Sequence, residues 1–271
     1  MELDATQRAA RDQFARRSSQ YGQGHILAQV EDLQAALPWL ALSTRARVLD
    51  VATGGGHTGL FFARLGHDVT LSDLTAEMLL RAQQTAREAG LEVEIAQHAA
   101  ESMPHADASF DFVTCRIAPH HFTDPAAFVR ETARVLRPGG QFLLIDGTVA
   151  DDEPDAEAWA HAVEKLRDPS HHRLWTPRTW RRWCETAGLA VEHAVVTPMK
   201  QPDLNWYFDV AATPEANRIE VRRLVESAPE AARRLFRLGH EDGRIVWWWQ
   251  RLTLVARKPA GGAGAFANAG R

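Results

Sequence analysis

Cysteine and lysine are both scarce in this chain of 271 residues. The two cysteines, Cys115 and Cys184, form neither a CxxC pair nor a disulfide framework, so a reducing compartment is expected. Lysine occurs only at Lys165, Lys200 and Lys258, and the basic residues are otherwise arginine. The formal net charge is -4, so the composition gives no reason to expect a nucleic-acid partner.

Long apolar runs are also missing. No stretch approaches the ~18 apolar residues of a membrane-spanning helix, and "MELDATQRAARDQFARR" lacks the apolar run of a signal peptide. A cytoplasmic protein with no integral membrane segment is therefore expected. Residues 259–271 are small and rich in glycine and alanine, which predicts a disordered tail after a single domain over residues 1–258.

Short apolar segments alternate with helical patterns five times before residue 150. The predicted strands are "RVLDVAT", "HDVTLSD", "LEVEIAQH", "SFDFVTCRIA" and "QFLLIDGTV". This alternation predicts a doubly wound α/β fold, with a mainly parallel sheet covered by helices on both faces. Ligands of such sheets bind at the carboxyl ends of the strands. Residues 50–57, Asp73, residues 97–101 and residues 116–121 should therefore converge on one crevice.

The pattern changes after residue 150. Two amphipathic helices, the strand "AVEHAVVT", a mostly helical insertion over residues 199–242 and a long final strand from Arg244 are predicted. The three tryptophans at 247–249 suggest that this strand is buried on both faces. Residues 1–30 and 199–242 are predicted to form a helical cap over the crevice. Tyr21, Trp206 and Tyr207 are the candidate substrate-wall residues.

A glycine-rich loop follows the first strand. Gly54, Gly56 and Gly59 match the dinucleotide pattern G-x-G-x-x-G, and Asp73 stands where a ribose-binding acid is expected. Asp50, however, lies four residues before Gly54, where a carboxylate would repel the pyrophosphate of a dinucleotide. A ligand without phosphates and with an ammonium group tolerates that carboxylate, and S-adenosylmethionine is such a ligand.

Four ordered motifs resemble the class I S-adenosylmethionine-dependent methyltransferases. They are "VLDVATGGGHTG", "VTLSDLTAEML", "AAESMPHADASFDFVTCRIAPHHF" and "ARVLRPGG", which lie within residues 10–150. The subgroup they resemble most includes the ubiquinone/menaquinone C-methyltransferases. The resemblance implies a seven-stranded Rossmann-like sheet whose last strand is antiparallel, and S-adenosylmethionine as cofactor.

The resemblance also implies which residues hold the cofactor. The loop from Asp50 to Gly56 would hold the methionine part, Asp73 the ribose, and Leu74 and the pair Ala100-Glu101 the adenine. The full predicted set is Asp50, Ala52, Gly54, Gly56, Asp73, Leu74, Ala100, Glu101 and Arg116. Relatives often carry an aspartate at the position of Ala99, so Glu101, or backbone and water, would have to replace its contact with adenine.

The expected chemistry is transfer of a methyl group to a small-molecule acceptor, which needs alignment, a dry site and, for a weak nucleophile, a base. His120 and His121 follow the fourth strand and are the catalytic candidates, with His120 as base and His121 in a structural role. No metal site is expected. A nicotinamide-dependent oxidoreductase and a non-catalytic S-adenosylmethionine-binding protein remain alternatives. The methylated element and the oligomeric state stay open.

Overall fold

Seven strands form one sheet in the computed structural model, which describes residues 3–18 and 28–260. The strands are β1 (Arg47–Val51), β2 (Asp68–Asp73), β3 (Glu94–Gln97), β4 (Phe110–Arg116), β5 (Leu136–Thr148), β6 (Ala190–Lys200) and β9 (Trp248–Arg257), and β7 (Gly239–Glu241) pairs with β8 (Arg244–Val246) in a separate hairpin. The order in the sheet is β3-β2-β1-β4-β5-β9-β6. β1 to β5 are parallel and β9 is antiparallel to both of its neighbours, as predicted.

Ten α-helices connect these strands within the described residues. They are α1 (Ala5–Arg17), α2 (Glu31–Ala36), α3 (His57–Arg64), α4 (Ala76–Glu88), α5 (Pro125–Val135), α6 (Pro154–Arg167), α7 (Pro177–Thr186), α8 (Leu204–Ala211), α9 (Glu215–Glu226) and α10 (Glu230–Leu235). In the same described residues, no helix combines the length and apolarity that crossing a membrane requires.

Side chains alternate between the two faces of the sheet, and each face has its own core. On β4, Val113 and Cys115 pack with α5 and α7, whereas Phe112 packs with α3 on the other face. All three side chains are fully buried. Because both faces are covered, the central strands are continuous apolar runs, which is why the sequence predicts them so clearly.

The strands that follow β1 in the chain are placed on both sides of it in the sheet. β2 and β3 lie on one side of β1, and β4 and β5 lie on the other. The strand order therefore reverses between β1 and β4, which opens a crevice at their carboxyl ends. The residues at these ends are Val51 on β1 and Arg116 on β4.

Helices α8 to α10 and the β7–β8 hairpin are inserted between β6 and β9. Together with α6 they bury a third apolar cluster, whose largest members include Trp159, Tyr207, Phe208 and Phe236. This cluster is separate from the two cores that flank the sheet. The insertion is thus a packed unit with its own hydrophobic stabilisation.

The prediction of one long final strand from Arg244 is wrong in one respect. The strand breaks at Trp247, which is 2% exposed and packs against Tyr207 with 5.0 Å between ring centroids. Trp248 is only partly buried, and the Lys200 ammonium lies 5.1 Å from its ring centroid. Burial of Trp247 in the insertion draws the chain out of the sheet, so β8 joins the hairpin and only β9 joins the sheet.

The N-terminal part is only briefly helical between residues 28 and 40. α2 covers only six residues and passes into a single 3₁₀ turn, Leu37–Trp39, which contains Pro38. Residues 19–27 lie outside the described residues, so Tyr21 has no structural assignment here. The predicted disordered tail is described only as far as residue 260.

Candidate functional site

A cavity of about 580 Å³ opens at the carboxyl ends of the central strands. Eleven of the predicted site residues line it, namely Ala52, Gly54, Asp73, Leu74, Ala100, Glu101, Arg116, His120, His121, Trp206 and Tyr207. Asp50 and Gly56 do not line it. The cavity therefore joins the predicted cofactor residues and the predicted acceptor residues in one continuous space.

The loop after β1 is shaped by residues with positive φ. Ala52, Gly54 and Gly56 have φ values of 54°, 53° and 87°. Gly56 is the N-cap of α3, and a Cβ atom there would lie 3.0 Å from Cβ of Ala82 on α4. Glycine thus permits both the left-handed turn and the close approach of the two helices, while Gly54 brings its backbone to the cavity.

Asp50 and Gly59 brace this loop from beneath. Oδ2 of Asp50 accepts hydrogen bonds from the Gly59 nitrogen at 2.8 Å and from the Thr53 hydroxyl. Asp50 is 1% exposed, and burial raises the pKa of its carboxyl group to about 7. A Cβ atom on Gly59 would lie 2.1 Å from Cδ2 of Leu71, so this glycine is required for packing of α3 on β2. The two residues order the loop without reaching the cavity.

Asp73 ends β2 and does reach the cavity. Its Oδ2 accepts from the Gly54 nitrogen at 3.0 Å, and its Oδ1 accepts from the Thr75 nitrogen at 2.9 Å. Burial raises the pKa of Asp73, against these backbone hydrogen bonds, which lower it. Asp73 therefore presents a carboxylate to the cavity that is fixed by backbone donors of two loops.

The predicted adenine end contains one arrangement that the sequence did not reveal. Glu101 accepts from the Thr123 nitrogen at 3.1 Å and from Nε2 of Gln7 at 3.2 Å, so its carboxylate joins α1 to the loop before α5. Ala99 is 3% exposed, and its carbonyl lies 2.9 Å from Nδ1 of His98. His98 is buried and lines the cavity, which adds it to the candidate site.

Arg116 lines the cavity while it anchors α2 and the residue Gln29 before it. Its Nε donates to Oδ2 of Asp32 at 3.0 Å, and its Nη2 donates to the Gln29 carbonyl at 2.7 Å. Arg251 on β9 donates to the same Asp32 oxygen at 3.0 Å. Two guanidinium groups therefore share one carboxylate, which ties β4, β9 and α2 together beside the cavity.

His120 is held by an acid that the sequence analysis missed. Its Nδ1 lies 2.7 Å from Oδ1 of Asp146, which is 1% exposed near the end of β5. Burial alone would lower the pKa of His120, but the negative charge of Asp146 and their hydrogen bond outweigh it, and the pKa is raised. The available signal was an aspartate at the end of the strand predicted to follow the histidine pair.

The neighbouring imidazoles have different environments. Nδ1 of His121 lies 3.1 Å from the Ser170 carbonyl, and burial, with the nearby His120, lowers its pKa to about 4. His171 is 1% exposed, and burial strongly lowers its pKa. Its ring centroid lies 5.5 Å from that of His120. Within residues 3–18 and 28–260, no group of three or more potential ligand side chains could hold a metal ion.

The predicted substrate-wall residues differ in burial. Tyr207 is 2% exposed, and its hydroxyl donates to Oε1 of Glu164 at 2.6 Å. The Arg167 guanidinium carbon lies 4.2 Å from the Tyr207 ring centroid, and Arg167 also pairs with Glu164 at 3.0 Å. Trp206 is only partly buried. Tyr207 is therefore locked into the insertion, whereas Trp206 is the more accessible of the two.

Helix α1 lies against the cavity and is tied to both of its ends. Phe14 and Gln7 of α1 line it, and the Phe14 ring packs edge-on against His121 with 5.0 Å between centroids. Nε2 of Gln13 donates to Asp168 at 2.6 Å. α1 is thus tied to the predicted adenine end through Gln7 and to the histidine end through Gln13.

Ile117 is a strained residue that sequence reasoning missed. Its φ is 52°, a region that β-branched side chains rarely adopt, and it lines the cavity directly after β4. Its nitrogen donates to the Ile145 carbonyl at 2.8 Å, which fixes the turn. Strain of this kind is concentrated at functional sites. Here it redirects the chain toward Pro119 and His120.

Comparisons with known proteins agree with this geometry. A family model described as a methyltransferase domain matches residues 49–144. An uncharacterized methyltransferase of Bacillus subtilis, YcgJ, is 37% identical over 180 residues, which are 66% of this chain and 71% of that protein. A ubiquinone biosynthesis O-methyltransferase of Xanthomonas axonopodis pv. citri is 35% identical over 155 residues, which are 54% of this chain and 64% of that protein.

Solved structures give the same result over most of the chain. The crystal structure of the YcgJ protein has a TM-score of 0.78 at 30% identity and covers 86% of this chain and 100% of its own. A structure from Bacillus halodurans C-125 has a TM-score of 0.79 at 36% identity, with coverages of 84% and 99%. These relatives favour a methyltransferase over a nicotinamide-dependent oxidoreductase. The chain belongs to the class I S-adenosylmethionine-dependent methyltransferases.

Proposed function

We propose that this methyltransferase binds S-adenosylmethionine in the half of the cavity near β1 and β2, and methylates a small-molecule acceptor in the other half. The observation that carries this proposal is the single cavity of about 580 Å³ that both residue sets line. Pockets for small ligands have volumes of roughly 300–1,000 Å³. A cofactor and an acceptor can therefore share a space in which their reacting atoms meet.

The residues near β1 and β2 fit the cofactor. Asp73 presents a carboxylate that would accept from the ribose hydroxyls, and Gly54 brings backbone without a side chain to the methionine part. Leu74 and Ala100 offer apolar surface beside the adenine. When bound, S-adenosylmethionine supplies an electrophilic methyl group on a positively charged sulfur. Asp50 and Gly56 contribute by ordering the loop, without direct contact.

The other half of the cavity supports a small acceptor. Trp206, Tyr207, Trp249 and Leu174 provide aromatic and apolar walls there, and His120 and Arg251 provide polar groups. The Xanthomonas relative is named as an O-methyltransferase of ubiquinone biosynthesis, so an organic small molecule is a consistent acceptor class. His121 is assigned a structural role, since Ser170 and Phe14 hold its ring.

Isothermal titration calorimetry and thermal denaturation with S-adenosylhomocysteine, S-adenosylmethionine and NADPH test which cofactor the cavity binds. Both adenosyl ligands should bind and raise the melting temperature, because a ligand that binds only the folded state stabilises it. NADPH should do neither. Binding of NADPH with no binding of S-adenosylhomocysteine would refute the proposed site. Ile219→Ala serves as a control, since this side chain on α9 is 64% exposed and does not line the cavity.

A further inference from the structure

From the contact between His120 and Asp146, we infer that this pair is the catalytic base of the enzyme and that the acceptor group is a hydroxyl of phenolic or enolic type. The inference rests on the proposed function and specifies its acceptor. His120 would take the hydroxyl proton, and Asp146 would act as a positioning residue through His120. Neither the family match nor any named relative assigns these roles.

The geometry commits one nitrogen of the imidazole to Asp146. Nδ1 of His120 lies 2.7 Å from Oδ1 of Asp146, so the neutral ring carries its hydrogen on Nδ1 and its lone pair on Nε2. The backbone on either side is also fixed. The His120 carbonyl accepts from the nitrogens of His172 at 2.8 Å and Arg173 at 3.1 Å. The ring, which lines the cavity, is therefore held in one orientation, with its basic nitrogen on the side away from Asp146.

The surrounding charges favour a protonated His120 after the reaction. Asp146 on β5, Glu164 on α6 and Asp168 after α6 all act on its ring with negative charge. On the other side lie two further imidazoles, those of His121 at 4.1 Å and His171 at 5.5 Å between centroids. Both have lowered pKa values, so they stay uncharged near neutral pH. His120 is thus the one imidazole of the three whose pKa is raised.

The reaction balances with the groups at hand. As the acceptor oxygen forms its bond to the methyl carbon, the carbon–sulfur bond breaks and its electron pair remains on sulfur. The hydroxyl proton passes to Nε2 of His120, and the resulting imidazolium is stabilised by Asp146. The proton leaves to water when the methyl ether is released. No oxidant, reductant or further reactant is required.

The acceptor class follows from proton affinity and from the cavity walls. A phenolic hydroxyl has a pKa of about 10, close enough to an imidazole with a raised pKa for useful proton transfer. A neutral amine already has a free electron pair, and a thiol ionises more easily, so neither needs a buried acid to support the base. Phe14, Trp206 and Trp249 offer flat apolar surfaces suited to an aromatic acceptor.

Imidazole NMR tests the pair without any acceptor. The pKa of His120, measured with S-adenosylhomocysteine bound and assigned through His120→Gln, should lie above about 6.5 and fall in Asp146→Asn. His172→Gln is the matched control, because this exposed histidine does not line the cavity and its removal should leave the His120 titration unchanged. A His120 pKa that is ordinary, or unaffected by Asp146→Asn, overturns the pairing.

Methyl transfer to ring compounds that differ in one atom tests the acceptor class. Phenol, catechol and 4-nitrophenol should be methylated in the presence of S-adenosylmethionine, and any methylation of aniline or thiophenol should not depend on His120. For phenol and catechol, His120→Gln should reduce turnover about 10²–10⁴-fold. The loss should be much smaller for 4-nitrophenol, which ionises near neutral pH without help. Asp146→Asn should move the rising limb of the pH profile to lower pH, because the base must be unprotonated and its pKa has fallen.

The two proposals fail in different ways. Absence of S-adenosylhomocysteine binding refutes the proposed function itself. If S-adenosylhomocysteine binds but no hydroxyl probe is methylated, or methylation of aniline or thiophenol depends on His120 as strongly as that of phenol, only the acceptor class is overturned. A variant that carries both His120→Gln and Asp146→Asn should turn over phenol no more slowly than His120→Gln alone, because Asp146 acts through His120. A further multiplicative loss in the double variant would show that Asp146 has an independent role.

Discussion

The backbone nitrogen of Gly54 donates to Oδ2 of Asp73 at 3.0 Å, although the two residues belong to different strand–helix connections. Thr75 donates to the other oxygen at 2.9 Å. The acid proposed to hold the ribose therefore also holds the loop proposed to cradle the methionine part. The ribose and the methionine part of the cofactor would therefore be bound by Asp73 and the Gly54 loop, which hold each other in place.

Replacement of Asp73 should accordingly weaken cofactor binding. In Asp73→Asn the side chain retains one carbonyl oxygen but loses its charge, so the dissociation constant for S-adenosylhomocysteine should rise about tenfold to more than a hundredfold. This range corresponds to a charged hydrogen bond worth roughly 1.5–3 kcal/mol. Calorimetry measures it directly. Equal dissociation constants for variant and parent would remove Asp73 from the ribose site.

Asp73→Ala should have a second effect, on folding. It leaves the nitrogens of Gly54 and Thr75 without their acceptor, at about 1–3 kcal/mol for each group that stays buried and unpaired. Urea denaturation should therefore show a larger loss of unfolding free energy for Asp73→Ala than for Asp73→Asn. An equal loss in both variants would mean that water replaces the carboxylate at no cost.

Gly59→Ala should destabilise the ligand-free protein. The added Cβ would stand 2.1 Å from Cδ2 of Leu71 and 3.1 Å from Oδ2 of Asp50, so α3 would have to move away from β2. Overpacking of this kind costs typically 1–3 kcal/mol. Gly239→Ala is the control, because its nearest neighbour would be Val246 at 4.0 Å. Similar urea midpoints for the two variants would contradict the packing argument.

The stability of the protein should fall in acid partly because of His121. Its pKa is about 4 in the folded protein and about 6.5 when unfolded, so between these values the unfolded chain binds more protons. Stability from this residue is fully present above about pH 6.5 and is lost as the pH falls toward 4. In His121→Gln this part of the acid sensitivity, up to about 3 kcal/mol, should disappear.

Urea denaturation of the parent and His121→Gln at several pH values between 4 and 8 measures this difference. The variant also loses the contact with Ser170, which shifts its curve by a nearly constant amount. The slope with pH is therefore the deciding quantity. Parallel curves for the two proteins would show that the pKa of His121 is the same in the folded and unfolded states.

Trp206 and Tyr207 should respond differently to substitution, although they are adjacent. Tyr207→Phe removes the hydroxyl that donates to Glu164, so it should lower the unfolding free energy by about 1–3 kcal/mol. Trp206→Ala should instead raise the KM for an acceptor with little change in S-adenosylhomocysteine affinity. Ile219→Ala, on α9 and 64% exposed, is a control for both. Equal loss of cofactor and acceptor affinity in Trp206→Ala would identify it as a packing residue.

The parallel part of the fold could be predicted because burial imposes its own pattern. β1 and β4 are covered on both faces, so they are short apolar runs that end at glycine, alanine or charged residues. Residues at the carboxyl ends of neighbouring parallel strands, such as Asp73 on β2 and His120 after β4, then share one edge whatever the exact helix lengths. This is why most of the predicted site residues do line one cavity.

Local patterns could not reveal contacts that depend on side-chain direction. Asp50 was predicted to face the cofactor because of its place in the motif, yet its carboxylate turns toward the Gly59 nitrogen beneath the loop. Asp146 was missed because its partner, His120, is 26 residues away and on another strand connection. The break at Trp247 was missed because the alternation of side chains along the predicted strand does not show that the Trp247 side chain packs in the apolar cluster of the insertion.

The strand pairing between β6 and β9 has an evolutionary consequence. Ten residue pairs, from Ala190–Arg257 to Lys200–Trp248, fix these strands against each other, and everything between Lys200 and Trp248 forms an excursion that starts and ends at the same point of the sheet. Residues can be gained or lost in that excursion without a change of register in the sheet or of the loop after β1. Descendants of this chain can thus acquire new acceptors through changes in one contiguous gene segment. The loops proposed to bind the cofactor are then inherited unchanged.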